Sequence, residues 1–591
     1  MPIDEVRPGM LGVGYTVFEG TKVEEFKAHI VGVLRNAAGP KRDLIIARLE
    51  GGPLAETGVI AGMSGSPVFI DGRLVGAVGY SLGTFSKEPI AGITPIEEMI
   101  EATSVGEARS ARGSKLRLEL PLTPENMRKA LASAFASPGP FAQNPGDVLL
   151  LAGEPGFAMA GSMATMLRPI ATPLVMGGFH PSIAGTVAGV FGAYGFLPQS
   201  SGSMPGNPAV QAGTGLRLRP GDPVGVSLVS GDLVLGATGT VTEVDGDRVY
   251  AFGHPFYNLG PTAYPMTRAY VHALLPSFAS SMKIASTGEV IGTFRQDRAT
   301  AIAGTLGEKP VMVPVKLTLH TDRGLTKSFS FDVVDDQLFT PLLTYVSIIN
   351  TLTSYERENG AVTFTVKGKA RVREHGDLTF EDIFTGDMPS VGAASYVVAP
   401  ITFLLTNDFA PVAIEGVDIE ITTSERPQTA KLERVWLDAV RPRAGQNVPL
   451  KVLLRTYRGE EIVRTVPLSI PPNASGRLSV LVSDGSQLAQ WEQREVRQPL
   501  EARGIAHMIR TFNKIPKHSH LYVRLLSQDA GGVVGGEYLP SLPPSVLAVF
   551  EADRNGGNFI PLRNATLGEW EIQVGHAVSG SRLLAIDVDP Q

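Results

Sequence analysis

The chain has 591 residues, a formal net charge of −6 with both signs mixed along it, and no basic block of the kind that marks a nucleic-acid binder. It contains no cysteine, which excludes disulfides, thiolate zinc sites and cysteine nucleophiles. Hydrophobic residues make up 43%, ample for several packed cores, yet no run of about 20 apolar residues predicts a membrane-spanning helix.

With 66 glycines and 44 prolines the chain is rich in turns, and the many Val and Thr residues point to short strands. Residues 1–105 read as a β unit: VEEFKAHIVGVL and RDLIIARL as strands, then LVGAVGY as a strand of small and β-branched residues. Between them lies IAGMSGSPVFIDGRLVGAVGY, whose core is Gly62-Met63-Ser64-Gly65-Ser66-Pro67. A serine set between glycines and followed by a proline and a strand has the form of a nucleophile turn. The glycines let the backbone bend and a substrate carbonyl approach, and the Gly62 and Ser64 amides can point at one spot as an oxyanion hole. The hexapeptide also reads as ordinary turn material. Asp71-Gly72 predicts a type I′ hairpin after it. Thr94, Pro95 and Glu97 predict a helix with Thr94 as cap, Pro95 at the first position and Glu97 closing a capping box. His29 reads as a packed or surface histidine.

Residues 106–214 differ in character and read as a partly helical insertion, a lid or inert filler: TPENMRKALASAFA as a helix, RPIATPLVMGGFHPSIAGTVAGVFGAYGF as small, apolar and partly helical, SSGSMPGNPAVQAGTG as a loop. His180 and Ser182 read as a turn and helix start rather than a second catalytic pair. Residues 215–320 form a second β unit, with near-alternating strands in GDPVGVSLVSGDLVLGATGTVTEV and a hairpin predicted at Asp245-Gly246. His254 follows that hairpin in VTEVDGDRVYAFGHPFYNLG, and GPTAYPMTRAYVHALLPS after it reads as a loop and short helix. A serine before one hairpin and a histidine after another is how a two-barrel serine protease presents nucleophile and base.

The segments GMSGSPVFIDGRLVGAVGY with AGITPIEEM, and GTVTEVDGDRVYAFGHPF with IGTFRQDRATAIAGTLG, resemble the serine and histidine segments of the SpoIVB-type (sporulation stage IV factor B) serine peptidase family. The resemblance covers roughly residues 1–105 and 215–310. It implies chymotrypsin-like chemistry, Ser64 as nucleophile and His254 as base. In that family the histidine segment comes first, and here the order is reversed. Triads are defined by geometry rather than chain order, but the reversal bars carrying over that family's substrate or sporulation role. No PDZ-like domain precedes the peptidase part. Asp297, at a separation from His254 close to that of chymotrypsin-like barrels, is the first candidate for the acid that orients the imidazole; between two arginines it also reads as a solvated ion pair. Glu50 is the second candidate, and a Ser–His dyad the third arrangement.

Residues 321–430 read as β-rich, with a helix in PLLTYVSIINTLTSYE. From 431 to 591, KLERVWLDA, NVPLKVLLRTY, EEIVRTVPLSI and GRLSVLVSD predict an immunoglobulin-like sandwich. It is followed by an amphipathic helix in PLEARGIAHMIRTFNKI and strands in SHLYVRLLS, SVLAVFEAD, EWEIQVGH and SRLLAIDVD. His518 and His520 have the spacing of a metal pair but no third ligand nearby. The expectation is therefore a mainly β protein: two chymotrypsin-like β-barrel units with a helical insertion, then β-rich and immunoglobulin-like sandwich domains. It is read as a serine endopeptidase needing no metal or organic cofactor, acting on protein or peptide substrates, with room for a regulatory protein partner. The rival reading is a catalytically silent scaffold or binding protein of the cell envelope. Lack of cysteine suits export to the periplasm or envelope, with the signal segment outside these residues.

Overall fold

The serine-bearing strands close on themselves. β1 (Leu11–Val17), β2 (Val23–Gly39), β3 (Arg42–Glu50), β4 (Pro67–Ile70), β5 (Arg73–Leu82) and β6 (Ile90–Pro95) pair in the order β4-β1-β2-β3-β6-β5, and a further β4–β5 pairing shuts the ring into an antiparallel barrel. Its core is built from Phe26, Ala28, Ile45, Ala47, Leu49, Met63, Val68 and Ile93. In the computed structural model the described residues are 1–82, 88–104, 167–192, 195–200, 218–355, 362–386, 388–438, 441–472, 474–495, 504–527, 532–534, 537–539, 543–551, 559–561 and 564–589. The predicted helix in TPENMRKALASAFA and the loop in SSGSMPGNPAVQAGTG lie outside them.

The described part of 106–214 joins the sheets. β7 (Leu167–Pro169) pairs with β5, and β8 (Thr172–Gly177) pairs with β9 (Phe196–Ser200) and with the second barrel. That barrel comprises β10 (Pro223–Gly231), β11 (Val234–Asp245), β12 (Arg248–Ala251), β13 (Gly260–Leu275), β14 (Met282–Arg298) and β15 (Ala301–Leu306). The order β10-β13-β14-β15-β12-β11 is closed by a β10–β11 pairing, so it too is a ring of antiparallel strands. Both barrels lie in one compact unit, made of the described residues up to 314 together with 330–350. The helix Ile96–Thr103 is wedged between them: Ile96 and Met99 share a buried cluster with Ala77 of one barrel and Tyr250, Ala301 and Ala303 of the other.

Several local expectations change. The helix at 96 has no side-chain cap: its cap position is Pro95, and Thr94 lies within β6 with its hydroxyl engaged elsewhere. The second hairpin turns at Gly246-Asp247, not Asp245-Gly246, because Asp245 still pairs with Arg248; only Gly246 has positive φ (61°), the pattern of a type II′ turn. GPTAYPMTRAYVHALL is a strand, not a loop and helix. His180 and Ser182 open the helix Pro181–Gly192, as expected of a turn and helix start, with His180 O accepting from the Ile183 and Ala184 amides.

The second unit comprises 315–329 and the described residues from 351 on. One sheet runs Gly376–Gly386, Val362–Val372, Ile414–Ser424 and 315–320, the last pair parallel, and packs a buried helix, Pro389–Leu405. Two four-stranded sheets then enclose one core, including Leu432, Leu450, Leu454, Leu468, Val480, Val523 and Leu525. The predicted strand in SVLAVFEAD is a helix, Pro544–Glu551.

Candidate active site

The serine turn is held from both barrels. On its own side, Gly65 N–H donates to Val78 O (2.8 Å) and Ser66 O accepts from Val78 N–H (2.9 Å). From the second barrel, Thr240 N–H donates to Ser64 O (2.9 Å), the Thr240 hydroxyl to Gly62 O (3.0 Å) and the Thr242 hydroxyl to Gly65 O (2.7 Å). Gly65 is glycine for a steric reason. A Cβ there would lie 1.9 Å from Thr240 O and 2.5 Å from Phe252 N, at a φ of +97°.

The donors of the turn divide into two sets. The amides of Met63, Gly65 and Ser66 are used, on Ile60 O, Val78 O and Met63 O. Among the described residues the amides of Gly62 and Ser64 donate to nothing. These are the two amides that the sequence places at a candidate oxyanion hole.

The histidine turn rests on the same parts. Phe252 N–H donates to Thr240 O (3.3 Å), and Gly253 O accepts the Thr94 hydroxyl (2.6 Å). A Cβ on Gly79 would lie 2.3 Å from Gly253 O, so the two barrels touch backbone to backbone. Phe252 and Gly253 both have positive φ, 71° and 66°. For the buried phenylalanine this is strain that the surrounding packing must hold. Thr240 thus binds both turns at once. Nothing in the sequence argument singled it out, although Thr238, Thr240 and Thr242 alternate along β11 and are all buried, a pattern that places three hydroxyls on one face.

The geometry at the two central atoms is specific. Ser64 is fully buried and His254 is 2% exposed. His254 Nδ1 bonds Pro255 O (2.8 Å); a carbonyl only accepts, so Nδ1 carries the hydrogen and Nε2 presents a lone pair. Burial pushes the imidazole down to about 4, against the Pro255 hydrogen bond. Ser64 Oγ and His254 Nε2 are both without a hydrogen-bond partner among the described residues, hence not bonded to each other.

Asp297 does not take the place expected of it. Its carboxylate is fully buried and accepts the backbone amides of Phe256 (2.8 Å), Tyr257 (2.7 Å) and Leu259 (3.2 Å), while the imidazole Nδ1 is already occupied by Pro255. It therefore shapes the loop after His254 instead of orienting the ring. Burial raises its pKa to about 6, opposed by those amides. Below that loop Tyr257 stacks on Phe196 (5.1 Å) and meets Phe339 edge-on (4.8 Å). Glu50, the other candidate acid, pairs with His29 on the surface (2.7 Å).

A further group near the turn was not foreseen. Lys283, on β14, is 2% exposed, and its Nζ donates to Thr16 Oγ1 (2.8 Å). A lysine in a strand ordinarily sends its amine to solvent; nothing in SMKIAS signals otherwise. In the second unit His518 Nδ1 bonds Asp382 (2.7 Å) and His520 Nδ1 bonds Ser519 (2.8 Å), so the two rings are committed to different partners. Among the described residues no cluster of three or more His, Asp or Glu is placed to hold a metal, and no helix is long and apolar enough to cross a membrane.

Residues 3–100 match the family described as SpoIVB peptidase S55. The match spans the serine-bearing barrel, and the histidine-bearing barrel lies beyond it. No curated protein and no solved structure matches the chain.

Proposed function

We propose that this chain, whose serine-bearing barrel matches a peptidase family, is a serine endopeptidase that cuts protein substrates through an acyl-enzyme. The observation that carries the reading is the division of the turn's donors: Gly62 and Ser64 alone keep their amides uncommitted, in a turn clasped by Thr240 against the histidine turn. On this reading His254 Nε2 takes the proton of Ser64 Oγ as Oγ attacks the scissile carbonyl carbon. The Gly62 and Ser64 amides hold the resulting oxyanion, a contribution of roughly 3 kcal/mol per donor in comparable sites. The imidazolium then delivers its proton to the leaving amine, and water, deprotonated by the same nitrogen, releases the acid. Ser64 Oγ and His254 Nε2 must move into contact for this, as catalytic hydrogen bonds commonly tighten only with substrate bound. Asp297 acts as a positioning residue through the 256–259 backbone.

The second reading is a catalytically silent scaffold, favoured by one observation: both reacting atoms are buried and unbonded to each other. Fluorophosphonate labelling separates the two. The peptidase reading expects label on the wild type, none on Ser64→Ala and at least about 100-fold slower labelling of His254→Ala. Label on Ser64→Ala at the wild-type level, or no label on the wild type, sinks it. Export to the periplasm or cell envelope belongs to the same proposal, and fractionation of the producing cells tests it.

A further inference from the structure

Lys283 lies against the serine turn, and the acyl-transfer steps above make no use of it. Its main-chain N–H donates to Ala61 O (3.0 Å) and Ser281 O accepts from Ala61 N–H (2.8 Å), so the start of β14 is laced to the residues just before Gly62. Its side chain then runs under the turn: a Cβ on Gly62 would lie 3.2 Å from Lys283 Cδ and 3.3 Å from Pro173. The lysine stem is therefore part of the floor on which Gly62, at a φ of +94°, is laid. The amine beyond it has one partner among the described residues, Thr16 Oγ1. An ammonium brings three donors, whereas a neutral amine brings two and a lone pair, so a single hydroxyl suits the uncharged form better. Its hydrogen-bond partner Thr16 and its neighbour Gly62 carry no charge, and among the described residues no charged group pairs with the amine. Burial, with no ionic partner, draws the amine down to about 7.

We propose that Lys283 is a positioning residue of the Ser64 site: while its amine is uncharged, its buried stem keeps Gly62 and the turn after it in place, and protonation of the amine displaces the turn and switches the site off. The proposal rests on the peptidase reading. The site then has two titrations, the His254 imidazole at about 4 and the Lys283 amine at about 7, and the higher one governs the acid limb of activity. A buried ammonium without counter-ion is costly, which gives protonation the force to move a turn.

The test compares Lys283→Met, which keeps length and carries no charge, with Lys283→Arg, charged at every pH. Fluorophosphonate labelling rates are measured from pH 5 to pH 9, with thermal unfolding over the same buffers and up to pH 10. The wild-type rate should fall about tenfold per pH unit below pH 7. Lys283→Met should keep its plateau rate to below pH 6, and Lys283→Arg should label at least tenfold more slowly throughout. In unfolding, the sign follows from a folded pKa below the unfolded one: the penalty is full below about 7 and is relieved as pH rises toward 10.5. Wild-type stability should therefore gain over Lys283→Met across that window. An acid limb unchanged in Lys283→Met overturns the proposal. A wild type that takes no label at any pH overturns the peptidase reading instead. The unfolding series then still decides whether the amine titrates within the fold, and an alkaline gain shared by Lys283→Met counts against it.

Discussion

Gly65 has no room for a methyl group, because Thr240 O and Phe252 N already occupy the space, and its backbone is left-handed besides. Gly65→Ala should therefore destabilise the protein by more than about 4 kcal/mol, since the atoms in the way are backbone of the other barrel and cannot step aside. Urea unfolding measures this, and a loss below about 1 kcal/mol would refute the packing argument. The turns that carry Ser64 and His254 were legible in the sequence as turns, because Gly62, Gly65 and Gly253, all at positive φ, mark each bend locally. Thr240 and Lys283 were not, because their importance comes entirely from what sits across from them. Thr94 shows the same limit from the other side: its sequence context spells a helix cap, and a nearby carbonyl, Gly253 O, takes the hydroxyl instead.

The Asp71-Gly72 hairpin was the most legible element, being set by two adjacent residues, whereas the same dipeptide at 245–246 misplaced its turn by one residue. Asp71 and Gly72 both have positive φ, 51° and 73°, as a type I′ turn demands. Nothing lies within 4 Å of a Cβ built on Gly72, so Gly72→Ala should cost only the backbone term, about 1–2 kcal/mol, with labelling at Ser64 unchanged. A larger loss in the same unfolding assay would mean that this turn carries contacts beyond its own geometry. β13 was misread because Pro261 and Pro265 look like breakers and its pairing with β14 shifts register repeatedly, which destroys the alternation that marks a strand. The helix Pro389–Leu405 escaped notice for the opposite reason: its side chains from Ala393 to Leu405 are buried on every face, so no polar stripe betrays its period. At Pro544–Glu551 a short apolar run fitted either state, and the proline at its first helical position was the signal that went unused.

At the scale of the whole molecule, the two closed barrels were expected from the family resemblance and not from local pattern, because each ring depends on pairings between strands far apart in sequence. The mainly β class, by contrast, followed from composition and turn content. The second unit has its own long-range tie. Asp382, buried, accepts His518 Nδ1 (2.7 Å) and the amides of His518 (2.8 Å) and Ser519 (3.1 Å), while Lys517 reaches Glu381 (2.8 Å). Burial lowers the His518 pKa, but the hydrogen bond and charge of Asp382, with Asp484, outweigh it and raise it overall. A raised histidine contributes stability that is complete below its unfolded value and is lost as pH rises through the folded one. His518→Gln should accordingly lower the unfolding temperature of this unit most at pH 5–6, with the gap to wild type narrowing toward pH 8. A gap that widens with pH would show the imidazole to be neutral in the fold.

On the peptidase reading, nucleophile and base belong to separate barrels and the nucleophile's barrel is encoded first, which bears on biosynthesis. A ribosome that has delivered Ser64 has made only an inert alcohol. Neither Thr240 nor His254 exists yet, so the emerging polypeptide has no means to digest itself or the proteins around it. Hydrolytic competence, on the peptidase reading, arrives as a single late event when the second ring shuts.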